Sequence, residues 1–220
     1  MQTFDTTAPI AAVLDIPAGR IDLIAADRSD TTVEVRPANP AKDRDVKAAE
    51  ETRIEYADGV LRIEAAAKNQ LFGSSGFVEV TVQLPAGSRV TAKAASAEFR
   101  GAGQLGDVTY EGAHGSIKLD EAGSVRVTTE AGDVTIGRLT GPGEVTTAKG
   151  DITIAEAVRG KVVLRTQAGN IAVDAAPGVS ATLDAGTSHG RVTNSLKNDG
   201  TAELDIHATT AHGDIAARGR

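Results

Sequence analysis

Cysteine is absent from the 220 residues, so the chain has no disulfide, no thiolate nucleophile and no cysteine-held metal. That composition fits a reducing compartment. Aromatic side chains make up only 3%, and all six (Phe4, Tyr56, Phe72, Phe77, Phe99, Tyr110) lie in the first half. The broad core of a β-sandwich wants large side chains, and the second half has none to give. No apolar run approaches the ~20 residues of a membrane helix, which predicts no membrane insertion. Met1-Gln-Thr-Phe-Asp-Thr-Thr lacks the basic and apolar regions of a signal peptide, and there is no Asn-x-Ser/Thr sequon. The expected location is cytoplasmic, with surface exposure only by another export route. Basic residues are in deficit, 23 against 30 acidic, for a net charge of −7. They are scattered among the acids, which argues against nucleic acid as a partner.

What is present is a repeated phrase. Thr129-Glu-Ala-Gly132-Asp133-Val134-Thr135-Ile136 returns as Thr147-Ala-Lys-Gly150-Asp151-Ile152-Thr153-Ile154 and as Thr166-Gln-Ala-Gly169-Asn170-Ile171-Ala172-Val173. Looser copies lead from Gly115, Gly190 and Gly213. The phrase alternates polar and apolar after its glycine, the period of a strand with one buried face. Successive glycines are 17, 18, 19, 21 and 23 residues apart, the length of one solenoid rung and far short of a domain. A weaker strand phrase sits between copies, as in Ser124-Val125-Arg126-Val127-Thr128 and Lys161-Val162-Val163-Leu164-Arg165. Each rung therefore holds at least two short strands joined at glycine corners.

The expected fold is all-β: a single-domain β-solenoid over 1–220, parallel β-helix-like, right-handed by default, with one short helix near the N-terminus. Stacked rungs bring like positions about 4.8 Å apart, where threonine and Asx ladders satisfy one another. Residues 1–90 read as degenerate rungs and 91–220 as regular ones. Within the first part, Asn39-Pro40 reads as the N-cap and first residue of a helix over 40–51, with Val46 and Ala49 on its apolar face. Residues 53–65 read as a hairpin turning at Asp58-Gly59, and residues 68–76 as a Gly/Ser loop. Helix and hairpin would cover one end of the stack. The other end is left to the tail Ala216-Ala-Arg218-Gly-Arg220, a β-edge open to a partner or to self-association.

Candidate sites are few. Gly101-Ala-Gly103-Gln-Leu-Gly106 matches a dinucleotide fingerprint, but a strand, Asp107-Val108-Thr109-Tyr110, follows where a phosphate-holding helix is required. His189 and His212 precede their phrase glycines and would stack one rung apart. They are weak metal candidates, with Asp205 and Asp214 as supplements. His114 has the same phase, while Ala131, Lys149 and Ala168 hold that position elsewhere. Asp133 and Asp151 stack with Asn170 next and Arg191 after it, and read as turn residues that cap local backbone groups. No nucleophile elbow, His-Glu-x-x-His, P-loop or EF-hand spacing occurs. No catalytic residue and no cofactor is assigned.

The iterated Thr-x-x-Gly-Asp-Val-x-Ile phrase resembles the bacterial putative-adhesin family of β-strand-repeat proteins, a domain of unknown function. The likeness runs from Gly19-Arg-Ile-Asp-Leu through the Asn39-Pro40 helix and the Val82-Gln-Leu-Pro85-Ala-Gly87 turn to His212-Gly213-Asp214-Ile215. It implies a β-helix-like domain common in bacteria such as actinomycetes, without catalytic residues. The functional expectation is a non-enzymatic interaction or scaffold protein that presents strand ladders to a protein partner. A carbohydrate-binding or carbohydrate-active β-helix is the alternative.

Overall fold

The computed structural model describes residues 1–65 and 76–219. The loop expected at 68–76 falls, save for Gly76, outside the described residues. Among the described residues the chain is nearly all-β with one short helix, and it divides into two compact units, Met1–Gly115 and Ser116–Arg220.

The C-terminal unit shows the repeat in its plainest form. Its strands are β9 (Ile117–Ala131), β10 (Val134–Leu139), β11 (Gly143–Lys149), β12 (Ile152–Ala157), β13 (Gly160–Ala168), β14 (Ile171–Ala175), β15 (Ala181–His189), β16 (Val192–Ser195), β17 (Leu204–His212) and β18 (Ile215–Gly219). They form two parallel ladders joined at the glycine corners. One ladder runs β9–β10–β12–β14–β18–β16. The other runs β9–β11–β13–β17–β15. Inward rows such as Leu119, Ile136, Ile154, Val173 and Ala217 are fully buried, each side chain contributing roughly 1–3 kcal/mol by leaving water. Apart from the buried corner threonines (Thr129, Thr147, Thr166 and Thr210) the filling is aliphatic, as the missing aromatics require.

The phrase glycines form a column. A Cβ on Gly150 would lie 2.2 Å from the Gly132 carbonyl oxygen, one on Gly169 2.0 Å from that of Gly150, and one on Gly213 2.0 Å from that of Gly169. Their φ values, 146°, 154° and 148°, are open only to glycine. The corner is glycine because the rung beneath occupies the space of any side chain.

The order of rungs departs from the order of the sequence. The last rung, β17–β18, lies between β13–β14 and β15–β16, so the C-terminal strand is hydrogen-bonded on both sides. The open edge expected at the tail belongs instead to β15 and β16. Side-chain chemistry explains the inversion. β17 and β18 supply Leu204, Ile206, Ala208, Ile215 and Ala217, all buried. β16 places Asn194 in the row of Leu119 and Ile136, opposite Ala217, where an amide between two apolar rungs would cost free energy without partners. At the end of the stack Asn194 stays exposed and accepts the Leu196 N–H at 3.0 Å.

The N-terminal unit repeats that device. Its elements are β1 (Gln2–Asp5), β2 (Ala11–Asp15), β3 (Ala18–Ala26), β4 (Asp30–Pro37), α1 (Asp43–Glu50), β5 (Arg53–Ala57), β6 (Val60–Glu64), β7 (Val78–Pro85) and β8 (Arg89–His114). The early rung β2–β3 lies between β6–β7 and β8, parallel to both. The outer strands reverse: β5 runs antiparallel to β6, β4 to β7, and β1 to β4. Phe4 of β1 and Tyr56 of β5 meet with ring centroids 5.2 Å apart. The hairpin turns at Asp58-Gly59 as expected, both residues at positive φ.

Helix α1 starts at Asp43, with Lys42 at the N-cap position, not at Pro40. The Asn39 side chain accepts the Ala41 N–H at 2.9 Å and closes a turn ahead of the helix. Nor is its buried face apolar: Asp45 is 1% exposed while Val46 is only half-buried. The Asp45 carboxylate accepts the Phe77 N–H at 3.1 Å, tying the helix to the approach to β7. Asp45→Ala strands that donor and is expected to lower stability by about 1–3 kcal/mol, read from urea midpoints. Asp45→Asn, which keeps an acceptor, should lose less; equal midpoints for wild type and Asp45→Ala would contradict this account.

Candidate functional site

The corner residues after the phrase glycines form a ladder of side chain to backbone bonds. Asp133 Oδ1 accepts the Asp151 N–H at 2.9 Å, and Asp151 Oδ1 accepts the Asn170 N–H at 2.7 Å. Asn170 Oδ1 then accepts the Asp214 N–H, and Asp214 Oδ1 the Arg191 N–H, both at 2.9 Å. The expected succession from Asn170 to Arg191 is thus interrupted by Asp214, which follows from the inserted rung. Each Asx thus caps its neighbour's corner amide, as expected of turn residues. The threonines three residues before the glycines serve the same corners from inside. Thr166, Thr210 and Thr187 donate to the carbonyls of Gly150, Gly169 and Gly213 at 3.0–3.1 Å. These hydroxyls bond to backbone rather than to one another.

His189 and His212 do stack, with centroids 4.7 Å apart and planes 1° from parallel. In-plane nitrogen lone pairs of such rings run side by side and do not converge on one ion. Asp214, a possible supplement, is engaged with Arg191, whose guanidinium lies 3.5 Å away. Asp205 is engaged elsewhere. Among the described residues no group of three His, Asp or Glu side chains is gathered for a metal. Residues 101–106 lie within β8, with no helix after them, so the glycine fingerprint has no phosphate-binding context.

A cluster that sequence reading missed surrounds His207 on the outer face of β17. Its Nε2 lies 3.0 Å from Asp205 Oδ2 and its Nδ1 3.3 Å from Asp184 Oδ2 on β15. Thr182 donates to Asp205 Oδ1 at 3.1 Å. The bond to His207 holds the Asp205 carboxyl below the ordinary carboxylate range against the opposing effect of burial, with lesser help from Thr182 and Lys161. Because the folded value is depressed, this contribution to stability is present above the unfolded carboxylate pKa and is lost as pH falls through the folded one. His207→Ala should therefore move the Asp205 titration, followed by carboxyl carbon NMR, to higher pH; an unmoved curve would contradict the assignment. Asp205 and His207 share a face by their spacing of two, a signal open to sequence. Asp184 enters only through the out-of-order register.

In the N-terminal unit a groove of about 330 Å³ is lined by Arg20, Phe77, Glu79 and Glu98, among others. Phe77 is 39% exposed, and Arg20 pairs with Glu98 at 3.0 Å.

Glycine-cornered rungs of parallel strands around a buried apolar filling define a β-solenoid-like repeat protein. The family model described as Toastrack DUF4097 matches residues 13–219, and the chain belongs to that family. No curated protein matches it. Solved structures similar over the whole length include a putative cell adhesion protein from Clostridium sporogenes, 11% identical, covering 100% of this chain and 98% of that one with a TM-score of 0.37. Putative adhesins from Bacteroides fragilis and Parabacteroides distasonis are 16% and 13% identical, with TM-scores of 0.44 and 0.47. Each of those two alignments covers 98% of this chain and 95% of the other. Likeness at that level carries no argument about site or partner. No helix among the described residues is long and apolar enough to cross a membrane.

Proposed function

We propose that the protein is a non-enzymatic, adhesin-like interaction or scaffold protein whose outward strand ladders dock a protein partner. The observation that carries this reading is the outer strip of the C-terminal unit. Thr135, Thr153, Ala172 and Ala216 follow one another in register, one per rung. Small side chains at strand spacing make a flat surface whose repeat matches another backbone's. Beside the strip, Arg138 and Glu156 pair across rungs at 2.6 Å. The absence of cysteine is compatible with the cytoplasm as the setting, which fractionation of host cells tests. Affinity capture from the host with mass spectrometry should recover a partner that Ala172→Arg, a charge on the strip, no longer holds. The same proteins captured by wild type and variant would sink the reading.

A second reading, carbohydrate binding, rests on the Phe77 groove, where an exposed ring lies among Arg20, Glu79 and Glu98. A glycan array on which Phe77→Ala loses signal held by wild type would favour it over the first.

A further inference from the structure

The inserted rung has a consequence for assembly. The segment from Leu204 to Gly219 fills a slot with a ladder on each side: β13 and β15 flank β17, and β14 and β16 flank β18. Every residue of the slot's two walls precedes residue 204 in the chain. Residues 196–203 connect it, and 197–203 are all exposed. Local contacts hold this connection: the Asp199 N–H donates to Ser180 Oγ at 3.1 Å, the Gly200 N–H to Asn198 Oδ1 at 2.8 Å and the Thr201 N–H to Asp199 Oδ1 at 3.1 Å.

We propose that the slot accepts the C-terminal rung of a second copy, so that two chains exchange β17–β18 reciprocally and form a dimer. The occupant follows from the slot itself. Any Leu204–Gly219 segment of this chain brings the same Leu204, Ile206, Ala208 and Ile215 and the same backbone bonds on both sides. Exchange therefore conserves every contact inside the rung and changes only the path of the connection, the condition under which domain swapping is cheap. The dimer would carry two copies of each outer ladder. The inference rests on topology, independently of the interaction reading.

The test uses the chain's lack of cysteine. Ala172 and Ala216 face each other across β14 and β18, at a spacing that parallel neighbours share with a disulfide. Ala172→Cys and Ala216→Cys are made in separate full-length chains, mixed, unfolded and refolded together, and oxidised with oxidised glutathione. Exchange predicts a covalent heterodimer on a non-reducing gel, in clear excess over either variant refolded alone. Deleting residues 198–201 should raise the dimer fraction about tenfold or more, because a connection too short to return removes the high effective concentration of the chain's own rung. Arg165→Cys with Thr209→Cys, facing each other across β13 and β17, serves as the second pair should the first fold poorly. Heterodimer no more abundant than in the single-variant controls, from chains with native circular dichroism, would overturn the proposal.

Discussion

Gly169→Val is expected to unfold the C-terminal unit. A Cβ there falls 2.0 Å from the Gly150 carbonyl oxygen, and the φ of 154° adds strain. Backbone strain of this kind costs about 1–3 kcal/mol. The collision forces apart two rungs whose hydrogen bonds and filling depend on their contact. The expected total is about 4 kcal/mol or more, beyond the usual range for one substitution. Gly186→Ala is the control, since nothing lies within 4 Å of its added Cβ, and its effect should stay within about 0.5 kcal/mol. Urea unfolding followed by circular dichroism checks both. A Gly169→Val midpoint near wild type would mean that the glycine column is not where the rungs touch.

Ending the chain at Gly200 is expected to be as severe, for a different reason. In a stack built in sequence order, removing the last rung trims an end and leaves the rest in place. Here it removes the only described ladder partners of β15 and β16, which pair with β17 and β18. Leu204, Ile206 and Ile215 vanish from the filling, at roughly 1.5–3 kcal/mol each. Their sum approaches the 5–15 kcal/mol that holds a whole domain folded. The shortened chain should lose the cooperative transition of this unit and aggregate through the newly opened β13–β14 edge. A soluble product with a near-native unfolding midpoint would show that the last rung caps the stack and does not join it.

The rungs themselves were legible in the sequence. The spacing of Gly132, Gly150 and Gly169, the alternation after each, and the threonine three residues before it specify corner, strand and inward row. Asp58-Gly59 likewise specifies its hairpin. The order of rungs was not legible from spacing, because a repeat that fits anywhere carries no address. The address lies in single departures from the pattern: Asn194 at an inward position, and the wholly exposed β16 beside β18, whose inward Ile215 and Ala217 are buried. Helix α1 misled for a related reason. Asn39-Pro40 forms a turn that resembles a cap, and the buried Asp45 has its partner, the Phe77 amide, 32 positions away. The His207 cluster was half legible: Asp205 is near in sequence, whereas Asp184 reaches it only because β15 lies outside β17.

Native-state hydrogen exchange with mass spectrometry addresses the inserted rung without altering the chain. Amides of Leu204–His212 and Ile215–Ala217 should exchange among the slowest of the C-terminal unit, and those of Ala181–His189 and Val192–Ser195 distinctly faster. The reverse ranking, with the last strands exchanging first and β15–β16 protected, would place the C-terminus at the edge and contradict the architecture described above.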